Sequence, residues 1–405
     1  MKPRLQTPSI GYVEQVILLA LISSMIAFSI DAMLPALSYI ERDLNVVHPN
    51  GRQYVIGMLF VGMAVGMLFY GPISDSTGRK GPIYVGFVIF LGGCLLSIFA
   101  TDFSTMLFGR FMQGLGAAGP RVVSMALIRD QYAGRSMAKF MSLVMTVFIL
   151  VPILAPGIGQ LILFIADWRG IFVAMAGMAV IAMTWFMFRQ RETLEKSKRV
   201  QFSLNRLMFA SKEVFTHPTS LGYMILSGFI FSAFLSYLST SQQIFQDQYG
   251  VGEMFPVYFG VLAIAIGGAS LVNSALVMKL GMKNLIGKAL WSLTILSILY
   301  LGYAFIMDGH PPLWTLMIFL LATFFCFGIL FGNVNALAME PVGHIAGVAS
   351  ALITSVSTLQ SVIFGTLIAQ AYNGTILPLI IGFSVLGMIS LIVMYVTNTS
   401  SVSSS

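Results

Sequence analysis

The chain has 405 residues, of which 57% are hydrophobic and 9% charged, and its mean hydropathy is +0.89. A soluble domain carries about 25% charged residues, so a single water-soluble core is excluded and a polytopic membrane protein is indicated. The formal charge of +7 calls for no nucleic-acid partner, because it follows from an uneven placement of basic residues between loops.

A helix needs about 20 apolar residues to cross the hydrocarbon layer. Runs of this kind are predicted at 13–38, 53–74, 82–100, 104–128, 138–163, 168–188, 219–246, 255–278, 285–307, 313–338, 344–371 and 375–397. They number twelve and do not alternate with period two, which argues against a β-barrel. The opening MKPRLQTPSIGY has no small-residue cleavage site, so the first run is expected to stay as a span. Cys94 and Cys326 both fall in apolar runs and offer no disulfide framework.

Seventeen of the 22 Lys and Arg residues fall in the segments that are cytoplasmic if the N-terminus is inside. Only Arg42, Arg52 and Arg169 fall outside, and Arg110 and Arg121 lie within the fourth span. This bias predicts that both termini are cytoplasmic.

The longest polar stretch, residues 189–218, separates two sets of six spans. The expected organisation is an all-α membrane protein: a six-helix bundle over 1–188, a cytoplasmic linker over 189–218 and a second six-helix bundle over 219–405. Within the linker, SLNRLMFASKEVF places Leu204, Leu207, Met208, Ser211 and Phe215 on one side of a helix, with Ser203 as its N-cap. Such a helix suits the inner membrane surface. DSTGRK after span two and MKLGMK after span eight align on Gly78 and Gly281, a position that fits a duplicated transporter.

The first span contains SSMIAFSIDAMLPAL, with Asp31 among apolar neighbours. An ionisable residue inside a membrane is a functional candidate when a partner can be named. Arg110 is the expected partner, since both residues lie roughly 9–10 Å below the outer ends of their spans. Burial favours the neutral acid and a nearby Arg favours the carboxylate, so a carboxyl between these influences can exchange a proton. The bland alternative is a static ion pair that fixes helix packing. Arg121 follows Arg110 by eleven residues, nearly three turns, which puts both on one face about 16 Å apart. Gly114 and Ala117 are read as leaving room on that face. The offset that aligns the halves puts Phe234 opposite Asp31, so the second half lacks this acid.

Several motifs together resemble a known family. GPISDSTGRKGP (71–82) resembles the loop signature of the major facilitator superfamily, and GRFMQGLGAA (109–118) resembles its span-four signature. DAMLPAL (31–37) resembles the span-one signature of its drug:proton antiporters, and NALAMEPVGHIAGVASAL (335–352) looks like the corresponding region of the Bcr/CflA drug-efflux branch. The resemblance implies twelve helices in two pseudo-symmetric six-helix bundles. It implies proton coupling at Asp31 and Arg110. It also implies an inner latch of Asp75, Gly78 and Arg79, with Arg79 meeting Asp130. Family architecture would set Gly62 and Gly66 of span two beside Gly343, Gly347, Ala351 and Ser355 of span eleven.

The chain departs from the family at Ser76, where a basic residue is usual, and at APGIGQ (155–160), where GPxxGG is usual. Pro152, Pro156, Gly157 and Gly159 remain there to bend the fifth span. Candidate substrate-cavity residues are Arg121, Met25, Phe28, Met145, Phe231, Phe234 and Tyr237.

The expected function is a proton-coupled antiporter that exports lipophilic drugs. A proton-coupled importer on the same fold and a non-transporting membrane receptor are the alternatives. The expected partners are a hydrophobic small molecule, protons and the lipid bilayer, with the protein as a monomer in the bacterial inner membrane. No cofactor is expected, since the proton gradient would drive transport. Neither an enzyme constellation nor GxxxxGK[ST] is present, and His48, His217, His310 and His344 are scattered over loops and span ends.

Overall fold

The computed structural model describes residues 10–403. In hydrocarbon every backbone N–H and C=O must find a partner within the chain, which leaves helices as the solution for long apolar runs. Among the described residues there is no strand. The helices are α1 (Tyr12–Asp31), α2 (Leu37–Asp43), α3 (Tyr54–Thr77), α4 (Lys80–Ile98), α5 (Phe103–Gln131), α6 (Gly134–Ile165) and α7 (Arg169–Arg189). They continue as α8 (Leu204–Thr216), α9 (Pro218–Gln242), α10 (Phe255–Leu280), α11 (Met282–Ile306), α12 (Leu313–Met339), α13 (Ala346–Gln370) and α14 (Leu377–Ser403). All except α2 and α8 are long, so the twelve-helix, all-α expectation holds. Among the described residues ten stretches are long and apolar enough to cross a membrane, and one of these, Leu313–Gln370, contains both α12 and α13. The remaining helix, α5, is the least apolar because Arg110, Arg121, Arg129 and Asp130 lie along it.

The first span differs from its prediction. It was expected to run unbroken to 38, but α1 ends at Asp31 and a 3-10 turn, Leu34–Ala36, precedes α2. Pro35 has no N–H to return to the carbonyl of Asp31, four residues earlier, so the hydrogen-bonded run ends there.

The chain forms two compact units. One holds the residues through Asn45 together with Met58–Leu204; the other holds Val46–Gly57 and the residues from Asn205 onward. In the first unit, α5 is packed backbone-to-backbone on two sides. A Cβ at Gly116 would lie 2.3 Å from the Phe90 nitrogen of α4, and one at Gly114 would lie 1.9 Å from the Leu59 oxygen of α3. Gly114 therefore fills a helix contact and does not open space. Gly62 and Gly66 likewise abut Phe111 and Leu115 of α5, so within this unit they serve the α3–α5 contact.

In the second unit, aromatic rings of α9, α10 and α12 interlock. Phe234 meets Phe231, Phe324, Phe327 and Phe331, and Tyr237 stands edge-on to Phe324 at 4.7 Å. Residues 46–57 join this unit through polar contacts. Arg52 pairs with Asp247, Gln53 donates to Gln243 Oε1 at 2.6 Å, and Asn50 donates to the Gln370 carbonyl at 3.0 Å. In α8, Ala210 and Val214 are buried, while Met208 and Phe215 of the predicted apolar side are exposed.

Candidate functional site

Asp31 is the last residue of α1 and is 5% exposed. Two residues back, Ser29 donates its hydroxyl to the Met25 carbonyl at 2.6 Å. The Ser29 carbonyl accepts Nη2 of Arg110 at 2.8 Å. Nη1 of Arg110 donates to Gln113 Oε1 at 2.7 Å, and the guanidinium lies 5.9 Å from the Phe172 ring centre. Gln113 in turn donates to Cys94 Sγ at 3.3 Å. The structure brings Arg110 to within two residues of Asp31 along α1. Among the described residues, however, no ion pair joins the two side chains. The fully buried guanidinium is held by a carbonyl, an amide oxygen and a ring instead, as a buried charge requires.

On the other side of this break lies α6. A Cβ at Gly159 would be 2.0 Å from the Ala32 carbonyl oxygen. Only glycine allows the two backbones this close, so α6 bears directly on the residue after Asp31. The α6 helix continues through Pro152 and Pro156. Gly157, two residues before the contact, keeps partial exposure. Eleven residues before Gly159, and so on the same face about 16 Å away, is Phe148. Its ring is 5.7 Å from the guanidinium carbon of Arg121. The antiparallel helices α5 and α6 thus define two levels, one with Arg110 and Gly159 beside Asp31, the other with Arg121 over Phe148.

The latch residues meet after α3. Arg79, 6% exposed, donates Nε to Asp130 Oδ2 at 2.9 Å, Nη2 to Asp130 Oδ1 at 3.3 Å and Nη1 to Ser74 Oγ at 2.9 Å. Nη1 also donates to Asp75. Gly78 has φ +108°, a conformation that favours glycine, and a Cβ there would lie 2.7 Å from Glu192 Oε2.

Glu192 is the residue that sequence reasoning missed. Its carboxylate accepts the backbone N–H of Arg79 at 2.9 Å, Lys80 at 3.1 Å, Thr193 at 2.9 Å and Leu194 at 3.0 Å. It thereby caps the start of α4 from more than 100 residues away in sequence, where a carboxylate suits a helix N-terminus. Burial works against its charge, yet these donors outweigh burial and hold its carboxyl below the usual value. Thr193 adds a hydrogen bond to Asp130 at 2.9 Å, and Val200 donates its N–H to the Asp75 carbonyl at 3.0 Å. The first part of the linker is therefore fastened to the latch loop.

Among the proposed cavity residues, Met25, Phe28 and Tyr237 are buried, Met145 is 43% exposed, and Phe231 and Phe234 are partly exposed. Among the described residues no group of three His, Cys, Asp or Glu could hold a metal ion.

A profile of the Major Facilitator Superfamily matches residues 18–365. The chain belongs to the Major Facilitator Superfamily. It is a multi-pass membrane transporter by that membership. It is 30% identical to a bicyclomycin resistance protein homolog of Haemophilus influenzae, over 94% of this chain and 95% of the relative. It is 27% identical to the multidrug resistance protein MdtL of Vibrio parahaemolyticus, over 87% of this chain and 89% of the relative. The crystal structure of a D-xylose-proton symporter superposes with a TM-score of 0.74 at 15% identity, covering 95% of this chain and 98% of the other. At that identity the likeness concerns the superfamily fold alone.

Proposed function

We propose that the protein is a proton-driven antiporter that exports lipophilic drugs by alternating access. The observation that carries this reading is Asp31. It is a buried carboxyl at the break of a membrane helix, with no hydrogen bond or ion pair among the described residues, beside a fixed guanidinium and a glycine-mediated contact. A carboxyl without a fixed counter-ion can bind and release a proton as its surroundings change. The names of the two bacterial relatives, one for bicyclomycin resistance and one for multidrug resistance, support drugs as the cargo.

In this reading the working halves are 1–188 and 219–405, joined by the cytoplasmic linker 189–218. The monomer resides in the bacterial inner membrane with both termini inside, in keeping with the basic bias of the inner loops. The proton gradient supplies the energy. Asp31 and Arg110 form the coupling site, and Asp75, Gly78, Arg79 and Asp130 form the inner latch. Bicyclomycin is the first compound to try. Drug-sensitive cells making the wild type are expected to tolerate several-fold more bicyclomycin or ethidium than cells making Asp31→Asn at equal abundance. Equal tolerance to both compounds in the two strains would contradict the assignment.

A further inference from the structure

Arg121 does not belong to the Asp31 level. Arg110 donates to Ser29 and Gln113. Arg121, eleven residues later on the same face, has no hydrogen bond or ion pair among the described residues, and its described contact is the Phe148 ring at 5.7 Å. It keeps partial exposure. An arginine within a membrane helix is costly on insertion scales. Such a group normally faces water or a partner, and among the described residues the partner is the Phe148 ring. Pro152 has no N–H to give the Phe148 carbonyl, so that part of α6 is also short of one helical hydrogen bond.

We infer that Arg121 and Phe148 form a binding point for substrates with a carboxylate or similar anionic oxygen group on an aromatic body. The guanidinium fork matches two oxygens of a carboxylate. The Phe148 ring offers its face to the aromatic portion while contacting the cation. The site is separate from the proton-coupling level by about three helical turns, roughly 16 Å, so an anionic ligand need not compete with Asp31 for its proton. The inference rests on the transporter reading for the ligand's route, but not for its binding.

Three compounds with one ring system and different charge test this: naphthoate, naphthamide and naphthylmethylammonium. Binding of each to the purified full chain is measured at equilibrium. The wild type is expected to bind naphthoate about tenfold or more tighter than naphthamide, as charge-assisted hydrogen bonds allow. Arg121→Gln removes that preference while leaving naphthamide affinity in place. Asp31→Asn leaves the preference intact. No preference for naphthoate in the wild type, or an undiminished preference in folded Arg121→Gln, overturns the inference. Should Arg121→Gln not fold, Arg121→Lys carries the test. Loss of the fork is expected to cut the preference several-fold, and an unchanged preference overturns the inference. A protein that keeps the preference but moves no ligand under a pH gradient contradicts the exporter reading and leaves this site standing.

Discussion

Gly159 and Ala32 bring two helix backbones into direct contact: a Cβ on Gly159 would lie 2.0 Å from the Ala32 carbonyl oxygen. Ala32 follows Asp31 at the point where α1 breaks. The contact ties the position of the carboxyl to the position of α6, the helix that carries Pro152, Pro156 and Phe148.

A methyl group at Gly159 has no room unless the helices separate. Gly159→Ala is expected to destabilise the protein by about 2 kcal/mol, as overpacking does, and to abolish pH-gradient-driven transport. Gly177→Ala is the control, since a Cβ there meets nothing within 4 Å. Apparent melting temperatures in detergent should fall for the first variant and stay or rise slightly for the second. An unchanged melting temperature in Gly159→Ala would refute the close contact.

Arg110 holds three neighbours with a planar fork, which an ammonium cannot reproduce. Arg110→Lys is expected to keep the fold but slow pH-gradient-driven ethidium transport in proteoliposomes by about tenfold or more. A rate equal to that of the wild type would show that only the charge matters.

Arg79 and Asp130 share two hydrogen bonds. In a double-mutant cycle of Arg79→Gln and Asp130→Asn, thermal unfolding should show a coupling of about 1–3 kcal/mol. Simple additivity of the two substitutions would mean that the pair contributes nothing as a pair.

Glu192 has its carboxyl lowered from 4.5 despite burial, through backbone donors that include Arg79 and Lys80. A carboxyl depressed on folding stabilises fully above its unfolded value and loses that contribution as pH falls through the folded one. The stability advantage of wild type over Glu192→Gln should therefore be flat above about pH 5 and shrink below about pH 4. Melting temperatures of both proteins across this range check it, and an advantage that grows on acidification would reverse the sign.

Much of this was legible because membrane helices announce themselves by length and hydropathy. The twelve helices and the arginine spacing along α5 lie in local patterns, whereas the Arg79–Asp130 pairing, 51 positions apart, was implied by the family resemblance. The end of α1 at Asp31 was also written in the sequence, since Pro35 stands four residues on, but apolar composition continues through the break and hid it. Glu192 was not legible because its partners are backbone N–H groups, which any residue supplies. Gly114 was read as open space and turned out to face Leu59, since spacing gives a residue's direction on a helix but not its neighbour there. Arg52 and Asp247 lie 195 positions apart, and nothing local marks one for the other.

The central claim is that Asp31 carries the coupled proton. Drug-evoked proton flux in proteoliposomes tests it most directly, with a trapped pH dye as the readout and ethidium as the added drug. The wild type should move protons when ethidium is supplied. Asp31→Asn should bind ethidium, keep its melting temperature and move none. Undiminished ethidium-evoked proton flux in folded Asp31→Asn would contradict the account.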